Sequence, residues 1–535
     1  MKQIEIEELI KGGVVKLKDK DLFSVWIRAV CNNMDAVKLR RLADIADRYG
    51  RGLILFTTRM LPILPFIHFD DITVVKEALN KADLVLDRCG ARVRNSDVCY
   101  DANVCERAVL DPLSLGEKLD HFWQTDPGGH KIKTSIAGCE RQCTSPRTLA
   151  DIGFVAREDA GRKGYDVYVG GKLGLDPFVG ERVAELLNED ECVTLVRNFT
   201  EFIKTNGRPG ERSAHLMGRY GKKDMSRALT KGLEIKTAIT RKECETKQAF
   251  RTDKTKILRI RATNGEVRSE QARKIADVAE KYGLGFVHFS LRGSPEIPGI
   301  QESKLAEVMR ELKDGGLGFI ENGVDNLQSC FGRYCTNGIL DAQALLQKTE
   351  ELIKRLGLNN LSIKISASGC PNNCGISPLS DIGFTGVSDP EVVANKCNGC
   401  GICPKACRVK AIQIIDGIAV IDEQKCKYCG QCAPSCPFDA IISKRSGITV
   451  LAGGTGPHFK DDDYPVETEL AREIMTFGDE KKALLTAENI LKLVKAENKN
   501  VIALIKDHGF EKFKEEALAG VDRDKERREI WLKRK

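Results

Sequence analysis

IAGCERQC, Ile136 to Cys143, and SASGCPNNCG, Ser366 to Gly375, are two versions of one phrase. Each holds a C-x3-C pair, Cys139 with Cys143 and Cys370 with Cys374. Each also follows an earlier pair, Cys99 with Cys105 and Cys330 with Cys335, the latter one residue tighter. Further out, GLILFTTR ending at Arg59 matches GFVHFSLR ending at Arg292, and DIGF at Asp151 to Phe154 matches DIGF at Asp381 to Phe384. A diglycine follows in both cases, Gly170-Gly171 and Gly453-Gly454. Landmarks repeated in one order mean an internal duplication, each half unable to bury its apolar face without the other.

With 535 residues the chain is long enough for several domains, and 42% apolar content supplies ordinary cores. The formal charge of +7 is spread along the sequence, a solvated surface with a weak bias toward anions and no nucleic-acid signature. The apolar run Leu53 to Phe66 is broken by Arg59, Pro62 and Pro65. No stretch approaches the roughly 20 apolar residues that span a bilayer, and the charged start MKQIEIEELIKGG lacks a signal-peptide core. Of twenty cysteines, sixteen fall in ligand spacings, so the expected compartment is the reducing cytoplasm. Cys31, Cys89, Cys192 and Cys244 fit no spacing and are expected as small buried hydrophobes.

Each half predicts a strand (Phe23–Val30; Ile257–Ala262), then an amphipathic helix (Ala36–Tyr49; Ser269–Tyr282) closed by Gly50 or Gly283. A second strand ends in the TTR or SLR triplet. The cysteine loops, the diglycine strand and Leu-, Glu- and Lys-rich helices at about 178–205 and about 467–495 follow. The pattern is α+β.

The halves differ most between DIGF and the diglycine, where the second carries an insertion with Cys397, Cys400, Cys403 and Cys407, then Cys426, Cys429, Cys432 and Cys436. Two C-x2-C-x2-C-x3-C runs mark a bacterial two-cluster ferredoxin, in which the fourth cysteine of each run crosses to the other cluster. One 4Fe-4S cluster is therefore expected on Cys397, Cys400, Cys403 and Cys436, and another on Cys426, Cys429, Cys432 and Cys407. Zinc fits two interleaved runs poorly. Arg408 stands where a proline often follows the fourth cysteine, a departure expected to shift a potential without removing a ligand.

These landmarks resemble the sirohaem-dependent sulfite and nitrite reductases over nearly the whole chain, SASGCPNNCG being the most specific piece. The resemblance implies an internally duplicated, pseudo-twofold α+β fold. Its parts are a first ferredoxin-like lobe (1–88), a first cluster lobe (89–235), a second ferredoxin-like lobe (250–322), a second cluster lobe (323–388 and 447–535) and the inserted ferredoxin domain (389–446). It implies a 4Fe-4S cluster on Cys330, Cys335, Cys370 and Cys374, with Cys374 bridging to the sirohaem iron. Cys99, Cys105, Cys139 and Cys143 are read as a second such site, making four clusters in all; whether a second sirohaem, structural or a relay, sits there is left open. Thr57, Arg59, Asn372, Arg292 and Cys143 are the further residues expected to hold cofactor.

In that family the substrate-facing cations reach across from the half opposite the sirohaem. Matched position by position, these are Arg28, Arg94, Lys131 and Lys133, with Arg92 as an alternative to Arg94. Their second-half counterparts are Arg261, Asp325, Ser362 and Lys364, so two of the four cations are lost there. A cation about 4 Å from an anion is worth roughly 4 kcal/mol at an effective dielectric of 20. Catalysis is accordingly expected at Cys374. The expected reaction is six-electron reduction of sulfite to sulfide, with nitrite as the alternative and a non-catalytic iron-sulfur electron carrier as a further one. No G-x-G-x-x-G suggests a nicotinamide or flavin fold. Electrons are expected from an external low-potential donor, a ferredoxin or redox subunit, through the insert; assembly as a homo-oligomer is left open.

Overall fold

A computed structural model describes residues 9–19, 21–100, 102–125, 129–233, 255–320, 327–358, 363–456 and 468–521. Asp325, Ser362 and Cys244 lie outside them. The chain forms two compact units, one of residues 1–173, 177–321 and 456–468, the other of 174–176, 322–455 and 469–535. No helix among the described residues is long and apolar enough to cross a membrane.

The first unit runs through β1 (Val14–Lys16), β2 (Leu22–Trp26), β3 (Asn33–Asp35), β4 (Leu53–Phe56) and β5 (Pro62–His68). Next come β6 (Asp97–Val98), β7 (Thr134–Ala137), β8 (Ile152–Asp159), β9 (Arg162–Val169) and β10 (Glu181–Leu187). It ends with β11 (Thr255–Arg261), β12 (Glu266–Arg268), β13 (Phe286–Phe289), β14 (Pro295–Gln301) and β15 (Gly318–Phe319). These make three sheets, ordered β1-β2-β5-β4-β12, β10-β9-β8-β7-β6 and β15-β11-β14-β13-β3. The first and third trade a strand: β12 pairs with β4 and β3 with β13, Val267 opposite Ile54 and Met34 opposite Val287. Neither half completes its own sheet, as the duplication requires.

Helices Ala36–Tyr49 and Ser269–Tyr282 start and stop where their periodicity predicts. The Asp35 carboxylate caps the first by accepting from the Lys38 amide, 2.7 Å. Leu39, Leu42, Ala43 and Ala46 of one helix and Ala272, Ile275, Ala276 and Ala279 of the other are buried. Arg40 to Asp277, 2.7 Å, and Arg273 to Asp44, 2.6 Å, join the exposed edges, each worth up to about 1 kcal/mol. Phe56 stacks on Phe289 with centroids 5.0 Å apart, so the two matching strands meet through matching rings.

The second unit repeats the first cluster lobe. Its strands are β16 (Gln328–Ser329), β17 (Ile365–Ser368), β18 (Ile382–Val392), β19 (Ile412–Ile415), β20 (Ile418–Ile421), β21 (Ile441–Ala452) and β22 (Arg472–Gly478). β16-β17-β18-β21-β22 matches β6-β7-β8-β9-β10, parallel through the first three strands and antiparallel after. DIGF recurs for a packing reason. A Cβ on Gly153 would lie 2.4 Å from the Pro146 carbonyl oxygen, and one on Gly383 2.3 Å from that of Ser377, so only glycine lets the chain pass.

Several expected boundaries move. β2 stops at Trp26 because Ile27 bridges Leu86 and Val30–Asn32 turns. The TTR and SLR triplets lie in the turns after β4 and β13. The expected helix at 178–205 is β10 followed by a helix, Glu189–Asn206, that starts only at the Asn188–Glu191 capping box. Pairing with β9 overrides the helical composition of ERVAELL. The same split gives β22 and the Asp479-capped helix Glu480–Glu497. β18 and β21 pair antiparallel out to Val392 opposite Ile441, and residues 393–440 run between the two strands.

Candidate functional site

In the first unit, β6 and β7 end side by side and deliver Cys99 next to the loop with Cys139 and Cys143. The Gly138 amide donates to Cys99 Sγ at 3.0 Å. Burial pushes the Cys99 thiol far up and that of Cys143 up to about 12, and the charges of Cys139 and Cys105 push both the same way. Cys99 and Cys143 are therefore poorly suited to ionise by themselves and well suited to a cationic iron cluster, which takes thiolates. Arg259 of β11, from the opposite half, pulls Cys143 down. Its Nε lies 3.3 Å from Glu296 Oε1, a carboxylate that offsets its charge. Tyr100 packs on His288, centroids 4.6 Å apart. Burial holds that imidazole down to about 3, hence neutral, with Nδ1 2.8 Å from Asn33 Oδ1.

A cluster of cations gathers elsewhere in this unit. Burial and the charges of Lys133, Arg212, Arg94 and Arg59 press the Lys131 ammonium well below its usual range, which places all five in one electrostatic neighbourhood. Asp151 anchors it: Oδ2 accepts from the Lys133 amide at 2.9 Å, and Oδ1 from Arg212 Nε at 2.6 Å and Ser213 Oγ at 2.8 Å. Arg59 reaches Asp87 at 3.3 Å, and its amide sits 3.3 Å from Thr57 Oγ1. Buried Asp97, raised to about 7 by desolvation, lies in the fields of Arg59 and Lys133.

Of the expected quartet, Arg94, Lys131 and Lys133 share this neighbourhood. Arg28 is ion-paired to Asp120 and belongs with Arg88 and Arg92. Arg94 is buried and donates to the Arg88 and Gly90 carbonyls, so it pins the loop ahead of Cys99. Lys131 and Lys133 stand together as expected. Sequence reasoning missed Arg212, which precedes a helix far along the chain, and took the DIGF aspartate for a landmark only.

In the second unit, Cys330 Sγ accepts from the Gly369 and Gly332 amides at 3.0 and 3.3 Å, and Cys335 Sγ from that of Asn337 at 3.4 Å. Burial pushes Cys330 strongly up and Cys370 up to about 12, with Cys374 adding to both. Cys374 is the exposed member of the four. Asn372 Nδ2 lies 3.5 Å from Cys370 Sγ, while its Oδ1 accepts from Arg408 Nη1 at 2.7 Å. Lys364 repeats Lys133, its amide donating to Asp381 Oδ2 at 2.8 Å. Arg292, the SLR counterpart of Arg59, is buried in the first unit.

In the insert the thiols influence one another in two groups. Burial is the main cause that raises these thiols, and Cys397, Cys400 and Cys436 add to the rise at Cys403. Cys407 acts with Cys426 and Cys429, which in turn raise Cys432, pushed up to about 12. Amides of Ala411, Ala419, Tyr428 and Ala440 donate to Cys407, Cys397, Cys426 and Cys436 at 3.2–3.4 Å. Among the described residues no three His, Cys, Asp or Glu side chains close around one point as a lone ion requires. Cys31, Cys89 and Cys192 are buried as expected.

The model for the nitrite and sulphite reductase 4Fe-4S domain matches residues 89–237 and 321–524. The chain belongs to this family. The model for the nitrite/sulfite reductase ferredoxin-like half domain matches the remaining lobes, 15–82 and 250–315, confirming the duplicated halves. Coenzyme F420-dependent sulfite reductase of Methanocaldococcus jannaschii is 31% identical over 270 residues, 50% of this chain and 43% of that protein. One component of the anaerobic sulfite reductase of Salmonella typhimurium is 28% identical over 33% of this chain and 58% of that one. The chain thus matches about half the length of these two relatives. Chloroplastic ferredoxin–nitrite reductase of Betula pendula is 21% identical over 69% of this chain and 68% of its own. The Mycobacterium tuberculosis NirA structure aligns with a TM-score of 0.72 at 17% identity, covering 96% of this chain and 92% of that one, which shows the fold.

The family binds sirohaem and 4Fe-4S clusters, and the residues present fit both. Buried Arg59 Nε, Arg92 Nε, Arg94 Nε, Arg147 Nε and Arg212 Nη2 have no hydrogen-bond partner among the described residues. Such donors are costly unless an acceptor arrives, and a carboxylate-rich macrocycle supplies acceptors.

Proposed function

We propose that the chain reduces sulfite to sulfide at the Cys330, Cys335, Cys370 and Cys374 site. Hydrogen sulfite takes six electrons and six protons to give hydrosulfide and three waters. Sirohaem coupled to a 4Fe-4S cluster supplies, when bound, the iron that holds sulfur and the electrons that reduce it. Cys374, exposed at the end of CPNNC, would be the thiol that holds this group.

The observation that carries the reading is the five-cation neighbourhood of Arg59, Arg94, Lys131, Lys133 and Arg212. Lys131 and Lys133 bind the anion and neutralise charge as oxygen departs. Lys131 Nζ, its proton loosened by burial and by four like charges, is the donor readiest to release one. Asp151 fixes the Lys133 backbone and Arg212. Arg59 and Arg212, with Thr57, bind the macrocycle's carboxylates, and Arg94 and Arg28 position the loops. The field of Arg259 at Cys143 supports contribution of cations from the opposite half. Its compensation by Glu296 favours a relay or structural role for the first-half site and any second sirohaem there.

The insert brings in electrons from a low-potential donor, and the reducing chemistry suits the cytoplasm. The sulfite-reducing relatives favour sulfite; the nitrite reductase match over 69% of the chain keeps nitrite as the second reading. Steady-state kcat/KM for both anions with a reduced low-potential donor tests the choice, and sulfite is expected to win. A wide margin for nitrite reverses it.

A further inference from the structure

Arg408 follows Cys407 directly, and its side chain leaves the insert. Nη1 donates to Asn372 Oδ1 at 2.7 Å, and Asn372 Nδ2 lies 3.5 Å from Cys370 Sγ. A run of covalent and hydrogen-bonded steps therefore leads from a thiol of the insert to a thiol of the CPNNC site. A proline at 408 would offer neither the charge nor the hydrogen bond.

The loop that supplies the rest of this thiol set lies on the same side. The Ser388 amide of β18 donates to the Tyr428 carbonyl at 2.8 Å, and Ser388 bridges Cys429. Three residues earlier on β18, Thr385 Oγ1 donates to Asn373 Oδ1 at 3.1 Å, in the CPNNC loop itself. The other set has no such ties in the described residues: Cys397, Cys400, Cys403 and Cys436 line one small pocket with Ile402 and Phe438. Cys400, Ile402 and Phe438 are exposed there.

We propose that Arg408 is the positioning residue through which electrons leave the insert, tying the Cys407, Cys426, Cys429 and Cys432 site, the inner one, to the Cys370 loop and leaving the Cys397, Cys400, Cys403 and Cys436 site as the outer acceptor. This rests on the reading of the insert as a two-cluster electron entrance. Each step moves one electron, oxidising one cluster and reducing the next, and the first electron comes from a reduced one-electron carrier. Arg408 acts in two ways. Its hydrogen bond shortens the gap the electron crosses, and its charge beside Cys429 favours the reduced, more negative inner cluster, since charge and hydrogen bonding near sulfur set such potentials.

The test uses the full chain with its clusters and sirohaem, in Arg408→Gln, Arg408→Lys and the control Lys410→Gln, an exposed lysine two residues on that loses the same charge. Iron and sirohaem are counted first, then each cluster is titrated by electron paramagnetic resonance, and reduction of the sirohaem band is followed after rapid mixing with a reduced ferredoxin. In Arg408→Gln one insert signal is expected to move to more negative potential, and it is not the signal altered by Cys400→Ser. Electron arrival slows at least tenfold. Arg408→Lys keeps the potential and slows arrival several-fold; Lys410→Gln changes neither. Equal behaviour of Arg408→Gln and Lys410→Gln, or a shift in the Cys400-dependent signal, overturns the inference. Should Arg408→Gln load poorly, Arg408→Lys decides: slowed arrival supports the tie, an unchanged rate overturns it. An insert that holds no iron in the parent chain overturns the two-cluster reading beneath, a different result from clusters that ignore Arg408.

Discussion

Replacing Asp151 by Asn tests whether this buried carboxylate organises the cation neighbourhood. Asp151 is fully buried, and its oxygens accept from Arg212, Ser213 and the Lys133 amide at 2.6, 2.8 and 2.9 Å. Removing one partner of a buried ion pair costs about 3–5 kcal/mol, and an asparagine retains one acceptor, so the lower end, about 3 kcal/mol, is expected. That is about two orders of magnitude in the folding equilibrium. Urea unfolding read by Trp123 fluorescence, within the same core, measures it. Ion pairing and hydrogen bonds to Arg212 outweigh desolvation and hold the carboxyl below its ordinary 3.8. The native state therefore gains stability from Asp151 above pH 3.8, and loses it as pH falls through the lower folded value. The gap between parent and variant should stay flat from about pH 8 to about pH 5 and close only below the carboxylate range. A gap under about 1 kcal/mol at neutral pH, or one that ignores acid, refutes the anchoring role.

Lys133→Ala is expected to cut kcat/KM by about two to three orders of magnitude, the scale of losing roughly 4 kcal/mol of charge stabilisation, with an unchanged cofactor absorption spectrum; an unaltered rate removes this lysine from the mechanism. An anion bound beside Lys131 is expected to raise the pKa that burial and like charges hold below 10.5. Sulfite affinity then falls as pH rises toward 10.5, and calorimetry in two buffers of different ionisation enthalpy registers proton uptake that Lys131→Met abolishes. The same shift has a stability sign: between the lowered native value and 10.5 the unfolded chain binds more protons, so Lys131 makes the apo-chain more stable as pH rises across that window.

The sequence by itself determined the duplication, the helices Ala36–Tyr49 and Ser269–Tyr282 and the family, because these rest on spacing and period, which survive without coordinates. Lys133 and the DIGF aspartate were also in plain view as neighbours of the cysteine pairs. Tertiary structure alone decided what a local pattern does not contain. ERVAELL became a strand because β9 offers it an edge, and β3 and β12 left their own halves to complete the opposite sheets. Arg94 turned to backbone carbonyls, Arg28 to Asp120, and Arg212 joined Lys131 from far along the chain. A cation's partner is set by which charge folding brings within a few ångströms, and that distance is a property of packing rather than of sequence order.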